Sequence, residues 1–185
     1  MKTPLSRKET LLYRTLLAFS MIAVAAALRV VPHPWNFTPI GAMALFSGAV
    51  VKDRRLAFAF PLLALFAGDI FIGFYKLMPV IYASFLVSVA IGLWLRRRRS
   101  LGRISAATLL GAAQFFLITN FAIWASASSS YPHTRAGLLT CYLAGIPFFW
   151  NTLAGDAIFA ALLFGGFALA ERFVPAIKEP SFQRL

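Results

Sequence analysis

The chain is predicted to be an all-α, polytopic membrane protein: a bundle of about six transmembrane helices with both termini in the cytoplasm. Three observations carry that prediction. Hydrophobic residues fill 60% of the 185 positions and charged ones only 13%, with a mean hydropathy of +0.77, more apolar surface than a soluble domain of this size could hide. The apolar residues come in runs of near-bilayer length. Fifteen of the eighteen Lys and Arg residues fall in the termini and alternate connections, which leaves Arg29, Lys76 and Arg135 on the other side. A formal charge of +12 would direct a soluble chain toward nucleic acid; here the bases sit in short clusters at run ends, as anchors for an anionic leaflet, and no nucleic-acid partner is expected.

The elements follow in order. After a short basic tail, 1–10, the first span covers 11–28. Lys2, Arg7, Lys8 and Arg14 followed by the apolar stretch 16–28 resemble a signal peptide, but further spans follow and an uncleaved helix is expected. The stretch 30–39 holds Pro32, Pro34 and Pro39 and cannot be regular helix. A second span, 40–51, is short and rich in small residues, which suits tight packing. The third, 56–75, carries Asp69 and is interrupted by Pro61; the fourth, 78–95, ends at four successive arginines. The fifth, 104–125, contains Gln114, Thr119 and Asn120, and a polar stretch, 126–135, follows. Residues 136–149 fit a re-entrant helix, a surface-lying one, or the outer arm of a long kinked helix. Asn151 is placed to N-cap a last helix over 152–172, before a second cytoplasmic tail, 173–185. The chain is read as a single membrane domain, with the lone Cys141 as a small apolar residue in a packed helix.

Within that frame the costly residues collect on one side. Asp69 and Asp156 are the two carboxylates inside apolar helices, and a charge there costs several kcal/mol unless paired or wetted. Both fall in the outer half. Arg29, His33, Trp35 and Asn36 belong to the first outer loop, Asn120 and Trp124 share a face at the outer end of the fifth helix, Tyr131, His133 and Arg135 belong to the last outer loop, and Asn151 stands just above Asp156. Purely structural roles are open to the acids: Asp69 could pair with Arg29 or Lys76, and Asp156 could cap or cross-link helices. A one-sided collection of aromatic and convergent polar groups also matches a pocket for a small solute.

The expected site therefore consists of Asp69, Asn120, Trp124, His133, Asn151 and Asp156, with Arg29, His33 and Asn36 as its rim or lid. A metal centre is not expected, since the two histidines have no short ligand spacing, and neither is catalysis, for which no nucleophile motif is visible. No cofactor is expected, and without a Walker-type loop any active uptake must borrow its energy. The rival from another class is a non-transporting scaffold of the cell envelope.

Arg29-Val-Val-Pro-His-Pro-Trp-Asn-Phe-Thr-Pro-Ile-Gly-Ala, Gly68-Asp69, Thr119-Asn120-Phe121 with Trp124, Tyr131-Pro-His-Thr and Ile146-Pro-Phe-Phe-Trp-Asn-Thr-Leu-Ala-Gly-Asp156 resemble a bacterial family of small transport-type proteins of unassigned substrate. In architecture that family is similar to the substrate-binding S components of energy-coupling-factor (ECF) vitamin transporters. The resemblance implies six helices in an ECF S-component-like bundle in the inner membrane, a vitamin or cofactor precursor held near the outer face, and a transmembrane coupling subunit with ATPases that docks on a small-residue first helix.

Overall fold

The computed structural model describes residues 6–28 and 31–177, so Arg29 and the extreme tails lie outside the described residues. Among the described residues the chain is all-helical: α1 (Arg7–Ala27), α2 (Ile40–Val50), α3 (Arg54–Ile72), α4 (Met78–Trp94), α5 (Leu101–Ala125) and α6 (Arg135–Phe173), with short 3-10 turns at Leu95–Arg97 and Pro175–Ile177. Five helices, all but α2, are long and apolar enough to cross a membrane, as a multi-pass membrane protein requires.

Local chemistry explains where the helices begin. α1 starts inside the expected tail because Ser6 and Glu9 form a capping box: the Glu9 N–H donates to Ser6 Oγ (3.3 Å) and the Ser6 N–H to the Glu9 carboxylate (2.7 Å). Asp53 Oδ1 accepts from the Leu56 N–H at 3.0 Å and sets the start of α3. Pro61 does not interrupt α3. Lacking an N–H, it cannot bond the Ala57 carbonyl one turn back; the Ser47 hydroxyl from α2 donates to that carbonyl instead, at 2.8 Å.

At about 1.5 Å per residue, the eleven residues of α2 rise only about 16 Å, half a hydrocarbon core, yet every one of them is buried. Its two ends are satisfied by opposite charges. The Arg96 guanidinium donates to the carbonyls of Gly48 (2.8 Å), Val51 and Lys52 (3.1 Å) at the C-terminal end, and the Asp156 carboxylate accepts from Ala42 at the N-terminal end. Both signs oppose the helix dipole favourably. Gly48 and Gly92 let α2 and α4 meet backbone to backbone, since a Cβ on either would run into the other helix's main chain. Phe46, at the centre of α2, is enclosed edge-on by Phe164 and Phe167 of α6.

α6 is a single helix of 39 residues, so the stretch 136–149 is its first arm, packed along the second half of α5. Tyr142 OH donates to the Leu117 carbonyl (2.8 Å), and Gly145 leaves room for the side chains of Phe116 and Asn120. The expectation that Asn151 caps a last helix is corrected. Pro147 is carried inside the helix, and Asn151 lies mid-helix with other work. One end of the bundle is basic: Arg14 pairs with Glu171 (2.6 Å) and donates to the Ile177 carbonyl (2.8 Å), while Arg99 reaches the same carboxylate at 3.4 Å.

Candidate functional site

Because α2 begins at mid-depth, the chain between α1 and α2 must dip into the bundle at the end opposite the arginines. Residues 31–39 do so along one face of α6. Asn151 Nδ2 donates to the Trp35 carbonyl at 3.0 Å; one turn on, Gly155 lies against Phe37 and Thr38, where a Cβ would come within 3.1 Å of the Thr38 nitrogen; a further turn on, Phe159 meets the Phe37 ring at 6.1 Å. Asn36, at φ 62°, turns the chain inward in the left-handed conformation that asparagine tolerates.

Under this loop lies a cavity of about 140 Å³. Asn36 and Tyr75 stand at its upper end, and Asn36 is also exposed. Its floor is formed by Ser88 of α4, Gly111 of α5 and the first residues of α2, Ile40 and Gly41. Phe85 and Phe115, stacked at 5.1 Å between ring centroids, form one wall, and Thr152 and Asp156 of α6 form the other.

Asp156 is the single charged side chain among the described residues that line the cavity, and it is only 2% exposed. Its Oδ1 accepts from the Ala42 N–H at 3.0 Å, and Gly41 makes the approach possible, since a side chain there would overlap the carboxylate. Oδ2 has no hydrogen-bond partner among the described residues. Thr152 commits its hydroxyl proton to the Phe148 carbonyl (2.9 Å), which leaves its oxygen to the cavity as an acceptor. Ser88 Oγ accepts from Gln114 Nε2 at 2.9 Å.

The expected site residues divide into three groups. Asn36 and Asp156 line the cavity, and Asn151 holds its covering loop. Asp69 stands one turn above the lining residue Leu65, fully buried, and accepts from Tyr82 OH at 2.7 Å; it supports the wall but is not among the residues that line it. Asn120, Trp124 and His133 belong to the α5–α6 hairpin: Asn120 Nδ2 donates to the Phe116 carbonyl (2.9 Å), Trp124 Nε1 to the Pro132 carbonyl (2.9 Å), and His133 packs edge-on against the Trp124 ring. His33 is exposed, with Nδ1 3.0 Å from the Pro34 carbonyl oxygen. Arg29, the third rim residue expected, lies outside the described residues. Thr38, Tyr75, Ser88 and the Phe85–Phe115 pair were not expected. Ser88 carried a weak signal, being with Ser84 one of two serines in a largely apolar helix.

A family model matches residues 9–177, a range that includes all of the six helices but the first two residues of α1, and every described residue around the cavity. The chain belongs to DUF6580, a family of unknown function. No curated protein and no solved structure matches it.

Proposed function

We propose that this DUF6580 protein is a membrane transport protein of the bacterial inner membrane that binds a small solute in an outward-facing pocket and passes it inward. The observation that carries the proposal is the cavity itself, a hollow toward the arginine-poor end lined by a buried carboxylate whose second oxygen has no partner among the described residues. A helix begun at mid-depth, its N-terminus turned toward a binding hollow, is a device by which transporters hold solutes inside the bilayer. The basic end faces the cytoplasm by the positive-inside rule, which puts both termini there, and α2, short as it is, counts as a sixth crossing together with its dipping loop. Six helices and an outer hollow agree with the architectural likeness to ECF S components, and α1 keeps Ala23, Ala26 and Ala27 beside the apolar groove it shares with α3, a surface on which a coupling subunit could seat.

Size narrows the cargo. A hollow of about 140 Å³ is well below the ~300 Å³ at which pockets for drug-sized ligands begin. It admits a compact solute; a whole vitamin or cofactor precursor would require the Trp35–Thr38 segment to lift from Asn151 and Gly155. Native mass spectrometry of the gently extracted protein tests the proposal. A small adduct should accompany the natural chain and be absent from folded Asp156→Ala protein. If neither carries an adduct and a strain with Asp156→Ala keeps the wild-type solute profile, the carboxylate is a helix cap and nothing more.

A further inference from the structure

We infer that the solute is a compact organic cation, an ammonium or amidinium group with little more than its substituents. This rests on the solute-binding reading above and specifies its chemistry. Asp156 Oδ1 is occupied by Ala42, whereas Oδ2 is left without a donor in a side chain 98% removed from solvent exposure, its relative accessibility being 2%. In a residue that lines the cavity, that oxygen is open to a donor from a bound solute, and a positively charged donor satisfies a carboxylate better than a neutral one.

The rest of the lining points the same way. Thr152 presents oxygen lone pairs, since its proton is committed to Phe148, and no Lys, Arg or His is among the described lining residues. Among the described lining residues no basic side chain offsets the repulsion between Asp156 and an anionic solute, and the positive end of the α2 dipole is already matched by Asp156 through Ala42. Phe85, Phe115 and Tyr75 supply aromatic surface in the same cavity as the carboxylate, and aromatic rings together with an acid are the means by which proteins recognise alkylated ammonium groups. The volume, about 140 Å³, equals that of roughly five waters in the liquid, room for a cation of about that many heavy atoms.

The test uses the full chain in detergent with methylammonium, tetramethylammonium and acetamidinium chlorides as probes, and acetamide, tert-butanol, sodium acetate, sodium chloride and potassium chloride as comparators. Saturable binding is read by calorimetry and by thermal shift. The organic cations should bind, at least one of them about tenfold more weakly to Asp156→Asn, whose amide oxygen can still accept from Ala42, and about threefold more weakly to Phe115→Leu. Should Asp156→Asn fail to fold, Phe115→Leu and Thr152→Val carry the comparison.

Equal binding of acetamide, tert-butanol or acetate overturns the inference, as does equal, Asp156-dependent binding of sodium or potassium. So does the absence of saturable binding by every organic cation. A neutral or anionic adduct in native mass spectra, lost on Asp156→Ala, would sink the cation while leaving the solute-binding function intact. Silence from every probe together with an adduct-free native spectrum would remove both.

Discussion

Asp156 has two roles that a substitution can separate. Through Oδ1 it completes the N-terminus of α2, and through Oδ2 it charges the cavity. Gly41→Ala tests the first, because its methyl would overlap the carboxylate; a loss of about 1–3 kcal/mol is expected, read as a lower melting temperature in detergent. On an Asp156→Ala background the same change should cost much less, since the clash is gone. Additive costs would mean that the two residues do not meet as described. Asp156 was legible as a functional candidate from its cost alone, but its helix-capping partner was not: Ala42 is 114 positions away and contributes only a backbone N–H, which every non-proline residue has.

At the scale of elements, α2 is the piece on which the others depend. Ser47→Ala should leave the fully buried Ala57 carbonyl without its donor and cost about 1–3 kcal/mol. Adding Pro61→Ala restores an N–H one turn along α3 and should recover part of that loss in the same thermal denaturation assay. No recovery would show that Ser47 acts through something other than the proline gap. Glycines make a second contrast. Gly48→Leu and Gly92→Leu should abolish monodisperse protein on size exclusion, because each would drive a side chain into the facing backbone, whereas Gly165→Leu, with nothing within 4 Å, should behave as the natural chain. Helix existence was legible from the apolar runs. The treatment of proline was not: Pro61 looked like an interruption and is carried within α3 because Ser47 of another helix compensates for it, and Pro147 is likewise carried within α6.

For the whole molecule, charge and hollow sit at opposite ends, and orientation is the testable property. With Cys141 replaced by Ala, a cysteine at Ser128 should react with an impermeant maleimide in intact cells, and one at Arg55 only after permeabilisation; the reverse pattern would turn the cavity toward the cytoplasm. Hydropathy and the one-sided distribution of Lys and Arg are properties of composition and order along the chain, so the sequence by itself determined an all-helical, membrane-type protein and which connections are basic. Of the polar residues gathered at the far end, it could not separate Asn36 and Asp156, which meet the cavity, from Asn120, Trp124 and His133, which hold the α5–α6 hairpin together. Only the tertiary structure decided that, because sharing a depth in the bilayer does not determine which way a side chain points. That depends on α2 stopping at mid-depth, on the loop it pulls inward, and on the glycines that let backbone and carboxylate approach.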